Sequence, residues 1–188
     1  LMIIIIICVC CEVNLISDIS KMIMGERFMK LQFLCAGHRE WLANSPGSAI
    51  DCWSNGLETG RVLCDDHRWD EALPHVGCAY EASEIILSMV YIDRHNAVRF
   101  FTSSVYLLAK VLIEMNCHED ARLVYRSASE RLRRELLSDH NERAYISDQL
   151  AYIDSKLQGL AVPSGPSMSN PLSNLRQSKS GQAYGVLH

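Results

Sequence analysis

From residue 26 onward, apolar side chains return every three or four positions, and short polar clusters interrupt them. Phe28, Leu31, Leu34, Cys35, His38 and Leu42 recur at helical spacing and predict a first helix over 26–43. The stretch "NSPGS" (44–48) breaks it, with Ser45 or Ser48 placed to cap the next helix. A second helix is predicted over 48–65, and a third from 69 into the low nineties. "DRHN" (93–96) reads as a polar joint before a fourth helix over 97–116. "NCHED" (116–120) then turns the chain into a fifth helix over 119–137. After "SDHNE" (138–142), a sixth helix over 142–159 places Ile146, Leu150, Ile153 and Leu157 on one stripe. Alternating runs bounded by hairpin turns are absent, so no strand is expected. The predicted fold class is all-α, with about six helices paired as antiparallel hairpins.

The two ends break this pattern. Residues 1–10 are an uninterrupted apolar run, too short to span a bilayer and without the basic flank of a secretory signal. Met22, Met24 and Met29 follow, and a native start near Met24 is expected, with a weak membrane anchor as the alternative. Residues 1–23 are therefore read as an extension and 24–160 as the helical domain. From Ala161 the chain carries three of its five prolines, many serines and few large apolar groups. Such a segment buries too little surface to offset its ordering entropy, so 161–188 is expected to be a disordered tail.

Two segments within the helical domain echo each other. "WSNGLETGRVLCDDHRWDEALPHVGCAYEASEI" begins at Trp53, and "TSSVYLLAKVLIEMNCHEDARLVYRSASERLRR" begins at Thr102. With Ala72 aligned on Ala121, Gly60 falls on Ala109, Leu63 on Leu112, Val76 on Tyr125 and Ala79 on Ala128, at a constant offset of 121 − 72 = 49. Antiparallel helices approach closely only where a small side chain sits at the crossing. Gly60, Ala109, Ala72, Ala79, Ala121 and Ala128 supply those positions, and the larger partners fill the spaces between. "WDEAL" and "HEDARL" put carboxylates in the first turn of each second helix, where the helix dipole favours them.

The pattern of small, large and aromatic positions resembles the tetratricopeptide repeat over about residues 53–85 and 102–134. Three departures accompany it. The offset of 49 exceeds the usual 34, so the helices or joints must be longer. The repeat's closing proline is replaced by Glu84 and Arg133. Pro74 lies inside the second helix of the first pair, where a kink or a late helix start is expected.

Composition narrows the chemistry. The chain has 188 residues, 18 basic and 22 acidic, which suits one domain and gives no basic excess for nucleic acid. The one basic run, Arg131, Arg133 and Arg134, is interleaved with Glu130 and Glu135 and reads as a solvated helix face. Eight cysteines at irregular spacing, most of them within helical apolar patterns, point to reduced thiols and a cytoplasmic setting. Cys64, His67, His75 and Cys78 have the right chemistry for zinc, but the helical rise separates them along the axis. Asp65, Asp66, Asp70 and Glu71 lie at a polar turn without an apolar pocket to perturb them. No phosphate-cradling loop, nucleophile elbow or HExxH motif is present, so no enzyme, cofactor or bound metal is expected.

The remaining signal is a surface. Stacked hairpins present the first helix of each pair along a concave face. There the first repeat places Ser54, Leu57, Arg61 and Asp65, and the second places Ser103, Tyr106, Lys110 and Glu114. The tetratricopeptide resemblance implies that basic side chains at such positions, here Arg61 and Lys110, hold carboxylates of a peptide, with Tyr106 clasping an apolar side chain. The expected function is a non-enzymatic adaptor for a protein or peptide, with self-association of the chain as an alternative and zinc binding as a third reading. Neither nucleic acid nor a membrane is the expected partner.

Overall fold

The computed structural model describes residues 32–138 and 142–160. The extension over 1–23, the opening of the predicted first helix and the tail over 161–188 lie outside the described residues. The fold is all-α: among the described residues there are six helices and no strand. They are α1 (Ala36–Ala43), α2 (Pro46–Asp65), α3 (Trp69–Leu87), α4 (Arg94–Glu114), α5 (His118–Ser138) and α6 (Arg143–Gly159).

Each long helix packs mainly on the next one in sequence, so α2 to α6 form a chain of antiparallel neighbours. The small residues lie where the repeat predicts close approach. Ala72, Ala79, Ala109, Ala121 and Ala128 are fully buried. A Cβ added to Gly60 would come closer than 3.0 Å to Val76 Cγ2 on α3. The four central helices have 19–21 residues each, which is where the longer repeat offset goes.

The two hairpin turns are copies of one another. His67 N donates to Cys64 O (3.1 Å) and Arg68 N to Leu63 O (2.9 Å). At the next turn Asn116 N donates to Ile113 O (2.9 Å) and Cys117 N to Leu112 O (2.8 Å). This is the Schellman pattern, which satisfies the last carbonyls of α2 and α4. His67 (φ 58°) and Asn116 (φ 61°) occupy its left-handed position, again 49 residues apart. A left-handed backbone conformation of this kind favours glycine over histidine. His67→Gly should therefore raise the free energy of unfolding by about 0.5 kcal/mol, allowing for the lost edge contact of His67 on Trp69. Urea denaturation followed by circular dichroism measures it, and an unchanged or lower midpoint counts against a strained turn.

Several predicted boundaries move. Helix α2 begins at Pro46, because proline's fixed φ suits the first helical position. Ser45 sits at its N-cap, yet its hydroxyl meets Ser48 Oγ (2.8 Å) and caps no backbone amide. Helix α3 ends at Leu87 instead of running into the nineties. Ser88 Oγ bonds to Glu84 O (3.0 Å), and Arg94 Nη1 reaches the Leu87 carbonyl (2.7 Å) and closes the end. "DRHN" is the start of α4 and not a joint: Asp93 caps it by accepting from Asn96 N at 3.0 Å. Pro74 delays nothing, since α3 starts at Trp69 and carries the proline in its second turn.

Ahead of α2, residues 33–43 form a strap across α3. The Phe33 ring lies against Gly77, where any Cβ would collide with it. The buried Glu81 carboxylate accepts from Phe33 N (2.6 Å) and Leu34 N (3.2 Å) and is also paired with Arg39. A second polar clasp joins α4 and α5. Glu135 receives Arg94 Nη1 (3.0 Å) and Arg131 Nη2 (3.0 Å), and Arg131 also reaches Ser88 Oγ (3.1 Å) just past α3.

Candidate functional site

Helices α2, α4 and α6 lie side by side. Trp53 on α2 tilts against Phe100 on α4 with ring centroids 4.1 Å apart, and its indole N–H donates to Phe100 O (3.1 Å) and Ser104 Oγ (2.9 Å). His95 on α4 stacks on Tyr145 of α6 (4.2 Å), beside its contact with Glu142 (Nδ1 to Oε2, 2.9 Å). Further along, Tyr106 donates to Gln149 Oε1 (3.0 Å) and meets Tyr152 edge-on (5.0 Å). The backbones of α3 and α5, by contrast, stay apart and are bridged by long side chains such as Tyr80 to Ser127. The closer row is therefore the inner one, and the layer curves around it.

The inner surface of α4 is one stripe at helical spacing: Arg99, Ser103, Tyr106, Lys110 and Glu114. On α2, Ser54, Arg61 and Asp65 form the adjoining stripe, and all three are exposed. Arg61 has no ion-pair partner among the described residues. Lys110 is exposed, with its ammonium 5.5 Å from the centroid of the Trp69 ring, and Arg99 lies over Phe100 (5.3 Å). Cation–π contacts of this kind orient a charge without neutralising it. Ser103 is half-buried in the floor.

Two of the predicted face residues are placed differently. Leu57 is 3% exposed. It belongs to the stripe of buried Ala49, Leu57, Gly60 and Cys64 with half-buried Trp53, a spacing visible in the sequence. Tyr106 is half-buried because α6 covers it. Burial, with Tyr152, Tyr145 and Tyr125 close by, pushes its phenol well up, so it remains a neutral donor to Gln149. Sequence reasoning missed Arg99, whose place on the Ser103–Lys110 stripe marks it.

The zinc set does not converge. Cys64 is buried at the end of α2, and burial pushes its thiol up, away from the thiolate a metal needs. His67 is exposed in the turn, and Cys78 lies within α3 with its thiol towards Phe33 O (3.7 Å). Among the described residues no three His, Cys, Asp or Glu side chains gather to hold a metal ion. The carboxylates Asp65, Asp66, Asp70 and Glu71 are exposed, and Arg68 beside Glu71 holds that carboxyl below its usual range.

Comparison with protein families, curated proteins and solved structures finds no match.

Two other surface features complete the picture. An open cleft of about 370 Å³ lies where α1 and α3 end, lined by Ala43, Ile85, Met89, Val90 and Tyr91. By length and composition α4 is the one described helix apolar enough to cross a bilayer, and 56% of that stretch is buried in the packing.

Proposed function

We propose that the inner row of helices is a docking surface for an extended peptide segment carrying carboxylates, and that the protein works as a non-enzymatic, cytoplasmic adaptor of tetratricopeptide-like build. The observation that carries this reading is a set of three cations on the inner row, interleaved with the exposed carboxylates Glu58, Asp65 and Glu114. Arg99, Lys110 and Arg61 lie on adjoining helices of the closely spaced row, and none of them forms an ion pair with a described residue. Charges held out to solvent on a concave wall suit carboxylate recognition. Lys110 on the Trp69 ring adds an apolar flank beside a cation, a place for a side chain next to an acidic group. The repeated turns and the small residues at the crossings support the tetratricopeptide-like reading, although the spacing of 49 does not follow that repeat.

The test uses the full chain as bait in native lysate, compared with the Arg61→Glu, Lys110→Glu double variant. Both residues are exposed, so helix content by circular dichroism should not change. A partner enriched by the wild-type chain should be lost from the double variant and should compete with a Glu-rich peptide. A set of bound proteins identical for both baits would reject the inner stripe as the binding surface.

A further inference from the structure

We infer that the face of α3 bearing Gly77, Cys78 and Glu81 is a peptide-recognition site, which the chain's own strap fills in this structure and which a partner segment of the same chemistry can take over. The contacts are those of a receptor with an extended ligand. The Phe33 ring lies against the backbone of Gly77, in the space a Cβ would occupy. The amides of Phe33 and Leu34 donate to the two oxygens of Glu81, at 2.6 and 3.2 Å. The Cys78 thiol is directed at the Phe33 carbonyl (3.7 Å), and Arg39, in the first turn of α1, pairs with the same carboxylate. Cys35 is still extended (φ −69°, ψ 160°), so residues 33–35 meet α3 before any helix begins.

Two observations set this face apart from ordinary helix packing. The first is what it costs α3. Glycine inside a helix weakens it relative to alanine, and a buried carboxylate is unfavourable without donors. Both features become favourable only when a ring and two main-chain amides lie on them. The second is the repeat. Adding the offset of 49 to Gly77, Cys78 and Glu81 gives Arg126, Ser127 and Glu130 on α5, all exposed. The repeat therefore needs no cover on this face of its second helix, and α3 alone is equipped to receive a segment there.

The present occupant is lightly held. Helix α1 has eight residues, fewer than a helix needs to persist alone in water. Among the described residues it packs only on α2 and α3, and Asn44 and Ser45 join it to α2. Release of Phe33 and Leu34 frees the face and leaves the packing of α2, α3 and α4 in place. The same contacts define the partner: an aromatic residue followed by an aliphatic one, both with unpaired amides, and a basic residue five positions further on. This chemistry is opposite to that of the carboxylate-bearing segment assigned to the inner row. A partner competes with a tethered copy of itself, whose effective concentration is on the order of millimolar.

The inference does not depend on the inner-row reading. The probe is an acetylated peptide of residues 32–43 with Cys35→Ser and fluorescein at its C-terminus, read by anisotropy against the full chain. The Phe33→Ala chain should bind it at least about tenfold more tightly than wild type, because the competing ring is gone. Adding Gly77→Ala should abolish that binding, since the methyl group fills the place of the probe's ring. Alanine favours the helix, so circular dichroism should show the fold retained. Arg61→Glu with Lys110→Glu should leave probe binding unchanged. In the wild-type chain, labelled with nitrogen-15, about 1 mM probe matches the tethered strap and should speed hydrogen exchange at the chain's own Phe33 and Leu34 amides. Equal affinity of the wild-type and Phe33→Ala chains overturns the inference, as does binding that survives Gly77→Ala or exchange that the probe leaves unaltered. A wild-type chain that doubles in mass at these concentrations, and reverts when the probe is added, would assign the site to the strap of a second copy and overturn the choice of partner.

Discussion

Glu81→Ala is expected to cost about 3 kcal/mol and to free residues 32–43 from α3 before the rest of the domain unfolds. The carboxylate is 2% exposed and is the acceptor for two backbone amides, Phe33 N and Leu34 N, as well as the partner of Arg39. Removing it leaves two donors without an acceptor in a buried place, each worth about 1–3 kcal/mol. Arg39 adds less, because its side chain is 39% exposed and can turn to water. The strap can escape this penalty only by lifting off, which uncovers Phe33 and Leu34. Urea denaturation gives the total, and hydrogen exchange at the amides of Phe33 and Leu34 shows the order of events. Unaltered exchange at both would mean that Glu81 does not hold the strap.

The opposite behaviour of two glycines is the second large effect. Gly60→Ala should destabilise by about 1–2 kcal/mol, since the added carbon falls inside the Val76 side chain at the α2–α3 crossing. Valine is branched at Cβ and has little freedom to turn away in a helix. Gly47→Ala, in the first turn of the same helix, meets nothing within 4 Å and should stabilise by about 0.5 kcal/mol through helix propensity. Opposite shifts of the two urea midpoints isolate packing from propensity. Equal shifts would mean that the helices part easily at Gly60.

Much of the architecture was legible because it is local. Ile146, Leu150, Ile153 and Leu157 announce α6 by spacing alone, and polar clusters mark the turns. The alignment of Gly60 with Ala109 and Ala72 with Ala121 located the crossings, since close approach leaves a compositional trace. The missed features depend on contacts between residues far apart in sequence. Nothing near Phe33 says that it will lie on Gly77, and nothing near Glu81 says that its partners are amides 47 and 48 residues earlier. A carboxylate amid the apolar run "CAYEASEII" was the available hint, because buried charge demands a partner. Tyr106 went astray for a related reason: two aligned repeats gave an open face, and α6, outside both, covers its edge. Leu57 was a different error, an apolar residue read as surface although it shares the spacing of Ala49 and Trp53.

The succession of helices, each packed chiefly on its neighbours in sequence, also sets how the chain folds. Bringing such partners together closes only short loops, so little entropy is lost before contacts begin to form. Any adjacent pair can serve as a nucleus, and growth proceeds outward along the row. Among the described residues, α3 and α4 each pack on a helix before and a helix after them in sequence, whereas α6 packs only on helices that precede it. Opening of the folded state therefore starts at the ends and moves inward, and the last structure to survive is the hairpin joint between Leu87 and Arg94 with the clasp that Glu135 makes to it.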